Sequence, residues 1–271
     1  MTRTTIALAF LLVGAGTGYL LATNRSVDTT PPWQQDPALR TTHGEYVAIP
    51  NANGDTVHAY VAYPERQGKA PAIIVIHEIF GLTDWEPTVA DDFAAKGYVA
   101  IVPDLLSSRY GSTAALGDSA RRMVGTLRGD DLVADLDAVD AWVRAQPATD
   151  SASVGVIGFC WGGGTVWRYA SANPRLKAAV VCYGPLADTA MLNTVAAPVL
   201  GVYGVNDGRV NNQLPGIASR MQSLGKSFVA DSYPGTGHGF LKPGRNGYGT
   251  PAAQQAWADI DAFFTRHLEG Q

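Results

Sequence analysis

The chain is poor in cysteine and in charge. Two cysteines, Cys160 and Cys182, stand among 271 residues, too few for a disulfide scaffold. Charged residues make up 16% and the formal net charge is −4, which gives no reason to expect a nucleic-acid partner. Internal repeats and low-complexity tracts are lacking. A zinc motif is lacking too: His77-Glu78 opens an H-E-x-x-H pattern, but Gly81 occupies the second histidine position. Between Arg3 and Arg25 charge is missing altogether, and Ile6 to Val13 is strongly apolar. Residues 1–24 therefore read as a signal peptide or an uncleaved membrane anchor, and the protein as exported or anchored. The segment has no clean A-x-A site to separate cleavage from retention. Residues 25–42, with Pro31, Pro32 and Pro37 among polar residues, read as a linker.

What is present is apolar material for one domain. Hydrophobic residues make up 46%, enough for a sizeable core over residues 43–271. Glu45 to Ile49 and Val57 to Tyr63 read as strands joined by a turn over Asn51 to Asp55. Ala72 to Ile76 is a continuous apolar run, as in a strand buried on both faces. Further strands are expected at Tyr98 to Val102, Val154 to Ile157, Ala178 to Tyr183, Val199 to Tyr203 and Ser227 to Tyr233. Helical spacing lies between them at Pro87 to Lys96, Asp130 to Val143, from Thr165, and at Leu214 to Leu224, with a closing helix over Thr250 to Leu268. Leu105 to Leu127 shows no period and is expected to be irregular. An early hairpin followed by alternating strands and helices predicts an α/β fold with an open, mostly parallel sheet covered on both faces.

The sharpest local signal is Gly158-Phe159-Cys160-Trp161-Gly162. It lies between an apolar strand and a helix, as a nucleophile elbow does, with Cys160 where the usual serine stands. Side chains at the flanking glycines would collide with the neighbouring strand and helix. Asp207 follows the second strand after Cys160, and His238 follows the last strand. Nucleophile, acid, histidine is the chain order of an α/β-hydrolase triad. His238 would hold the Cys160 proton and Asp207 would fix the imidazole tautomer. Taken singly, Asp207 reads equally as a turn residue and His238 as a loop histidine; the three together point to catalysis. Glu78 follows a fully apolar strand between His77 and Ile79-Phe80, so its carboxylate is expected to be desolvated. His77 and Cys182 are expected to be packing residues.

From about Gly44 to Leu268 the chain resembles the dienelactone hydrolases, or carboxymethylenebutenolidases. The resemblance rests on His77 to Leu82, Pro103-Asp104-Leu105, Gly158 to Gly163, Tyr183-Gly184, Gly204 to Asp207 and Gly237 to Phe240. It implies the α/β-hydrolase fold, a Cys160–His238–Asp207 triad and a buried Glu78 that accepts a hydrogen bond from the resting thiol. It also implies backbone oxyanion donors at Ile79 and Trp161. Two family arginines that hold the substrate carboxylate map onto Arg109 and onto Lys242, a departure from arginine. The expected activity is hydrolysis of esters or lactones through a thioester, by a monomer without metal or cofactor. The membrane enters only through the N-terminal segment. The competing reading is a membrane-tethered binding or thiol-redox protein on the same fold. Asp207 and His238 speak against it, since a redox thiol needs no such pair.

Overall fold

The computed structural model describes residues 42–270. The expected leader over 1–24, and all but the last residue of the expected linker over 25–42, lie outside the described residues. Among the described residues no helix is long and apolar enough to cross a membrane.

A hairpin opens the described chain. β1 (Thr42–Pro50) and β2 (Thr56–Pro64) pair antiparallel around a turn closed by Asn51 N–H donating to Asp55 O at 2.9 Å. The Asn51 side chain accepts from the Asn53 and Asp55 amides, the local bonding that makes Asn a turn residue. His58 lies on the exposed face of β2, as its alternation predicts.

Six further strands complete the sheet: β3 (Ala70–Ile76), β4 (Val99–Asp104), β5 (Thr149–Phe159), β6 (Ala178–Cys182), β7 (Val199–Gly204) and β8 (Phe228–Tyr233). Their order is β1-β2-β4-β3-β5-β6-β7-β8. β2 meets β4 antiparallel, and every pair from there on is parallel. All seven residues of β3 are buried.

Period-two alternation sends side chains from the same strands into two separate cores. Ile74, Ile76, Val156 and Val181 pack with α5 (Gly129–Ala145), α6 (Trp161–Ala172) and α8 (Leu214–Ser223). Ile73, Val75, Ile157 and Val180 pack on the other face with α1 (Trp85–Ala95) and α9 (Pro251–Phe264). A sheet buried on both sides needs apolar residues at every position, which is why its strands read as unbroken apolar runs. This is the α/β-hydrolase arrangement that the resemblance implies.

The stretch from Leu105 to Leu127 departs from the irregular segment expected. It contains three short helices, α2 (Ser107–Tyr110), α3 (Thr113–Leu116) and α4 (Ala120–Val124), with a 3₁₀ turn at Gly117–Ser119. Helices of four or five residues carry too few turns to show a period. They are held from below by buried Asp104. Its Oδ1 accepts from Leu106 N–H and Thr113 Oγ1, and its Oδ2 from Thr113 N–H at 2.7 Å. The Thr113 hydroxyl in turn accepts from Leu82 N–H at 3.0 Å, so the helical stretch is tied to the loop after β3.

Asp92, on α1, is a stability liability. Burial pushes its carboxyl up from 3.8 to about 6, against the opposing charge of Lys96 and with help from Asp91 and Asp261. Its Oδ1 is buried without a partner. The folded state keeps this proton longer than the unfolded state, so its contribution is full below pH ~4 and declines as pH rises to about 6. A shift of that size corresponds to a few kcal/mol. Asp92→Asn is therefore expected to raise stability at pH 7.5 by about 1–2 kcal/mol and to give little gain near pH 4. Chemical denaturation at the two pH values checks this; an equal gain at both contradicts it.

Candidate active site

Cys160 leaves β5 as the residue before α6, with φ 55° and ψ −113°. A non-glycine residue at positive φ is strained by about 1–3 kcal/mol and needs its surroundings to hold it there. The flanking glycines make this possible. A Cβ on Gly158 would lie 2.4 Å from Gly162 O, and one on Gly162 would lie 2.4 Å from His77 O and 2.5 Å from Ile76 O. The start of α6 thus sits directly on the ends of β5 and β3, closer than any side chain would allow. The thiol is carried above the sheet at the N-terminus of a helix, where partial positive charge gathers.

The other two expected residues arrive from the far side of β5. Asp207 follows β7 at the position preceding α7 (Gly208–Asn211), and its buried side chain makes no bond to that helix. His238 follows β8. Asn206 N–H donates to Thr236 O at 2.9 Å. A Cβ on Gly204 would lie 2.6 Å from Gly237 O, so the two loops touch through backbone. The result is a continuous chain of side chains: His238 Nδ1 lies 2.5 Å from Asp207 Oδ2, and His238 Nε2 lies 3.0 Å from Cys160 Sγ. Nδ1–H donates to the carboxylate, which leaves Nε2 free to accept the thiol proton. The Tyr183 ring packs edge-on against the imidazole at 5.2 Å.

Burial raises the Cys160 pKa, and the Glu78 charge raises it further. The Trp161 amide and Arg209 act in the opposite direction. The net effect favours the protonated thiol. Cys182 is a free, fully buried cysteine, and Cys160 is also free, so no disulfide disables the elbow.

Ile79 and Trp161 both line the cavity of about 520 Å³ over Cys160. His77, fully buried, orders the segments that carry them. Its Nδ1–H donates to Glu78 O at 2.7 Å, its Nε2 accepts from Leu105 N–H at 3.2 Å, and its ring stacks on Trp161 at 5.4 Å.

Three expected contacts are arranged differently. The thiol faces His238, whereas Glu78 Oε2 accepts from Lys242 Nζ at 3.0 Å. Lys242 does not stand free for a ligand: it lies between Glu78 and buried Glu86, the latter at 3.6 Å, and over the Trp85 ring at 4.8 Å. Arg109, at the end of α2, ion-pairs with Asp131 at 2.6 Å and Asp55 at 3.7 Å and does not line the cavity. The arginines among the residues that do line it are Arg121, Arg209 and Arg245. Sequence reasoning missed all three in this role, because α4, the four-residue α7 and the segment after His238 carry no pattern that orients them. Among the described residues no group of acids, histidines and cysteines is arranged to hold a metal ion.

Comparison with known proteins agrees with this architecture. Residues 57–268 match the model of the dienelactone hydrolase family. A Yersinia pestis protein assigned as a carboxymethylenebutenolidase is 32% identical over 247 residues, covering 83% of this chain and 90% of that one. A Bradyrhizobium protein assigned as a 2-oxo-3-(5-oxofuran-2-ylidene)propanoate lactonase is 31% identical over 231 residues, covering 81% and 93%. The crystal structure of a Klebsiella pneumoniae protein assigned as a dienelactone hydrolase superposes with a TM-score of 0.76 at 29% identity, covering 83% of this chain and 99% of that one. The chain belongs to the dienelactone hydrolase family, hydrolases of ester and lactone bonds.

Proposed function

We propose that this enzyme opens activated esters and enol lactones through a thioester on Cys160. The observation that carries the reading is the Cys160 Sγ–His238 Nε2–Asp207 chain of contacts at the base of the cavity. The thiol passes its proton to His238 Nε2 as sulfur bonds to the substrate carbonyl carbon. The carbonyl electrons move to oxygen, which is met by the Ile79 and Trp161 N–H groups. Collapse of this intermediate expels the alcohol or enol oxygen, which takes the proton from His238. Water, deprotonated by His238, then attacks the thioester, and the thiolate departs to recover its proton. Asp207 keeps Nδ1 protonated throughout and stabilises the imidazolium. Lys242 on Glu78 keeps that carboxylate's charge compensated beside the thiol.

The nucleophile's identity sets the substrate class. The tetrahedral intermediate partitions between expelling the new oxygen and expelling sulfur. A thiol has a pKa of about 8.5, so sulfur leaves readily and the reaction reverts unless the oxygen leaves as easily. Enolates and phenolates satisfy this; alkoxides do not. In a series of esters with one acyl group, kcat/KM is expected to rise with leaving-group acidity, with an ethyl ester at least about 10³-fold below a nitrophenyl ester. Brisk hydrolysis of the ethyl ester contradicts the proposal.

A further inference from the structure

Among the described residues two that are not glycine have positive φ, Cys160 at 55° and Tyr183 at 40°. Such backbone is strained and persists only where its surroundings hold it. The role of nucleophile accounts for Cys160 but not for Tyr183. Tyr183 follows β6, where the chain turns beneath the start of α6: a Cβ on the next residue, Gly184, would meet the Gly163 and Gly164 backbone. The Tyr183 side chain is fully buried, and its hydroxyl has no hydrogen-bond partner among the described residues. A buried hydroxyl that has given up water without a new partner destabilises the fold. Phenylalanine would fill the same space without that cost.

The ring stands between the triad and Glu78. It packs edge-on against His238 at 5.2 Å and against Phe159 at 6.3 Å. Phe159 meets Trp85 at 4.7 Å, and Lys242, which donates to Glu78 Oε2 at 3.0 Å, lies over Trp85 at 4.8 Å. Burial pushes the Tyr183 pKa well up, so the hydroxyl stays a donor, and the charge that acts on it most is that of Glu78. Glu78 lines the cavity together with Ile79, Cys160 and Trp161. An oxyanion between the Ile79 and Trp161 amides therefore puts a second negative charge into the cavity that Glu78 faces. Like charges repel, and this repulsion arises in the transition state and not before it. Lys242 serves Oε2, which leaves Oε1 for a second donor.

We infer that Tyr183 is a positioning residue of the reaction: its hydroxyl, unbonded in the resting enzyme, takes up Glu78 Oε1 as the oxyanion forms and holds that carboxylate away from the developing charge. The inference rests on the thioester reading, which places the oxyanion in the cavity beside Glu78. Tyr183 does not line that cavity, so it acts through Glu78 and not on the substrate. Both halves of the reaction pass through an oxyanion, so both rates depend on it alike.

Tyr183→Phe removes the hydroxyl and keeps the ring against His238. In the full-length enzyme it is expected to raise the melting temperature by about 2–6 °C. For a neutral nitrophenyl ester kcat is expected to fall about tenfold, with KM within about twofold of wild type. A purely structural residue does not give greater stability together with a lower kcat. Tyr203→Phe is the control. The Tyr203 hydroxyl is likewise buried and without a partner, but it lies in the core on the opposite face of the sheet, so stability should rise and kcat should hold. Action through Glu78 is read in a Glu78→Gln background, which has no carboxylate charge to withdraw. There Tyr183→Phe is expected to change kcat by less than about twofold. An unchanged kcat in Tyr183→Phe, a lower melting temperature, or the same tenfold loss with and without the Glu78 charge overturns the inference and leaves the thioester reading standing. A wild type that turns over the ester without acylating Cys160 overturns the thioester reading, and this inference with it.

Discussion

Cys160→Ala is expected to lower kcat/KM for a nitrophenyl ester by at least about 10⁴-fold, with the fold retained. Removal of Sγ leaves no atom able to form the covalent intermediate, so what remains is binding and the oxyanion donors acting on a water. The structural cost is small. Sγ is half-buried, its contact is with a partly exposed imidazole, and water can take its place on Nε2. Alanine must still adopt φ 55°, but the strain is one that the cysteine already bears. Cys160→Ser is expected to fall between the two. Its oxygen fits, but it needs a stronger base than a neutral imidazole provides for a thiol, and its dependence on leaving group should be flatter. Steady-state kinetics with a melting curve checks the set; a Cys160→Ala enzyme within tenfold of wild type contradicts it.

Gly162→Ala is expected to cost more than any active-site side chain does in stability, and activity with it. The added Cβ meets two backbone carbonyls, His77 O and Ile76 O, which no rotamer change can move aside. Relief requires the start of α6 to lift away from the end of β3. Overpacking of this kind costs roughly 1–3 kcal/mol, or a melting temperature lower by about 2–12 °C in a domain of this size. The same displacement separates Trp161 from Ile79, the two proposed oxyanion donors, so kcat should drop by about 10²–10³. Gly216→Ala is the contrast. A Cβ there meets nothing within 4 Å, and the residue sits inside α8, so a small gain in stability is expected. Equal melting temperatures for Gly162→Ala and wild type contradict the role given to the close approach.

The sequence was informative where local chemistry and sheet topology agree. Unbroken apolar runs such as Ala72 to Ile76 mark strands buried on both faces, and strand ends in a parallel sheet share one edge. Placing Cys160, Asp207 and His238 at three such ends was therefore enough to anticipate that they meet. The glycines around Cys160 were legible because only close backbone approach explains two of them flanking one nucleophile. Side-chain partners across the sequence were not legible. Lys242 matched a substrate-clamp position, but it donates to Glu78 and lies 3.6 Å from Glu86, whose position in the first turn of α1 resembles that of any solvated helix-start carboxylate. Both carboxylates are buried, and Lys242 lies between them rather than free at the mouth. Arg109 was the nearest match in the loop after Pro103-Asp104, yet the turn of α2 directs it to Asp131 and Asp55. Arg121 reaches the cavity only because Asp104 and Thr113 fold residues 105–127 back over the β3 loop. Those hydrogen bonds link residues in separate loops and leave no periodic trace.

The most direct measurement of the central claim is the mass of the enzyme during turnover. The full-length enzyme is mixed with excess nitrophenyl ester, quenched in acid within the first turnovers, and digested for peptide mapping. A peptide containing Cys160 heavier by the acyl group, with the adduct released by neutral hydroxylamine and missing in Cys160→Ala, is the predicted result. An acyl group found on another residue, or full-rate turnover with no adduct while a nitrophenol burst is observed, would contradict a thioester on Cys160.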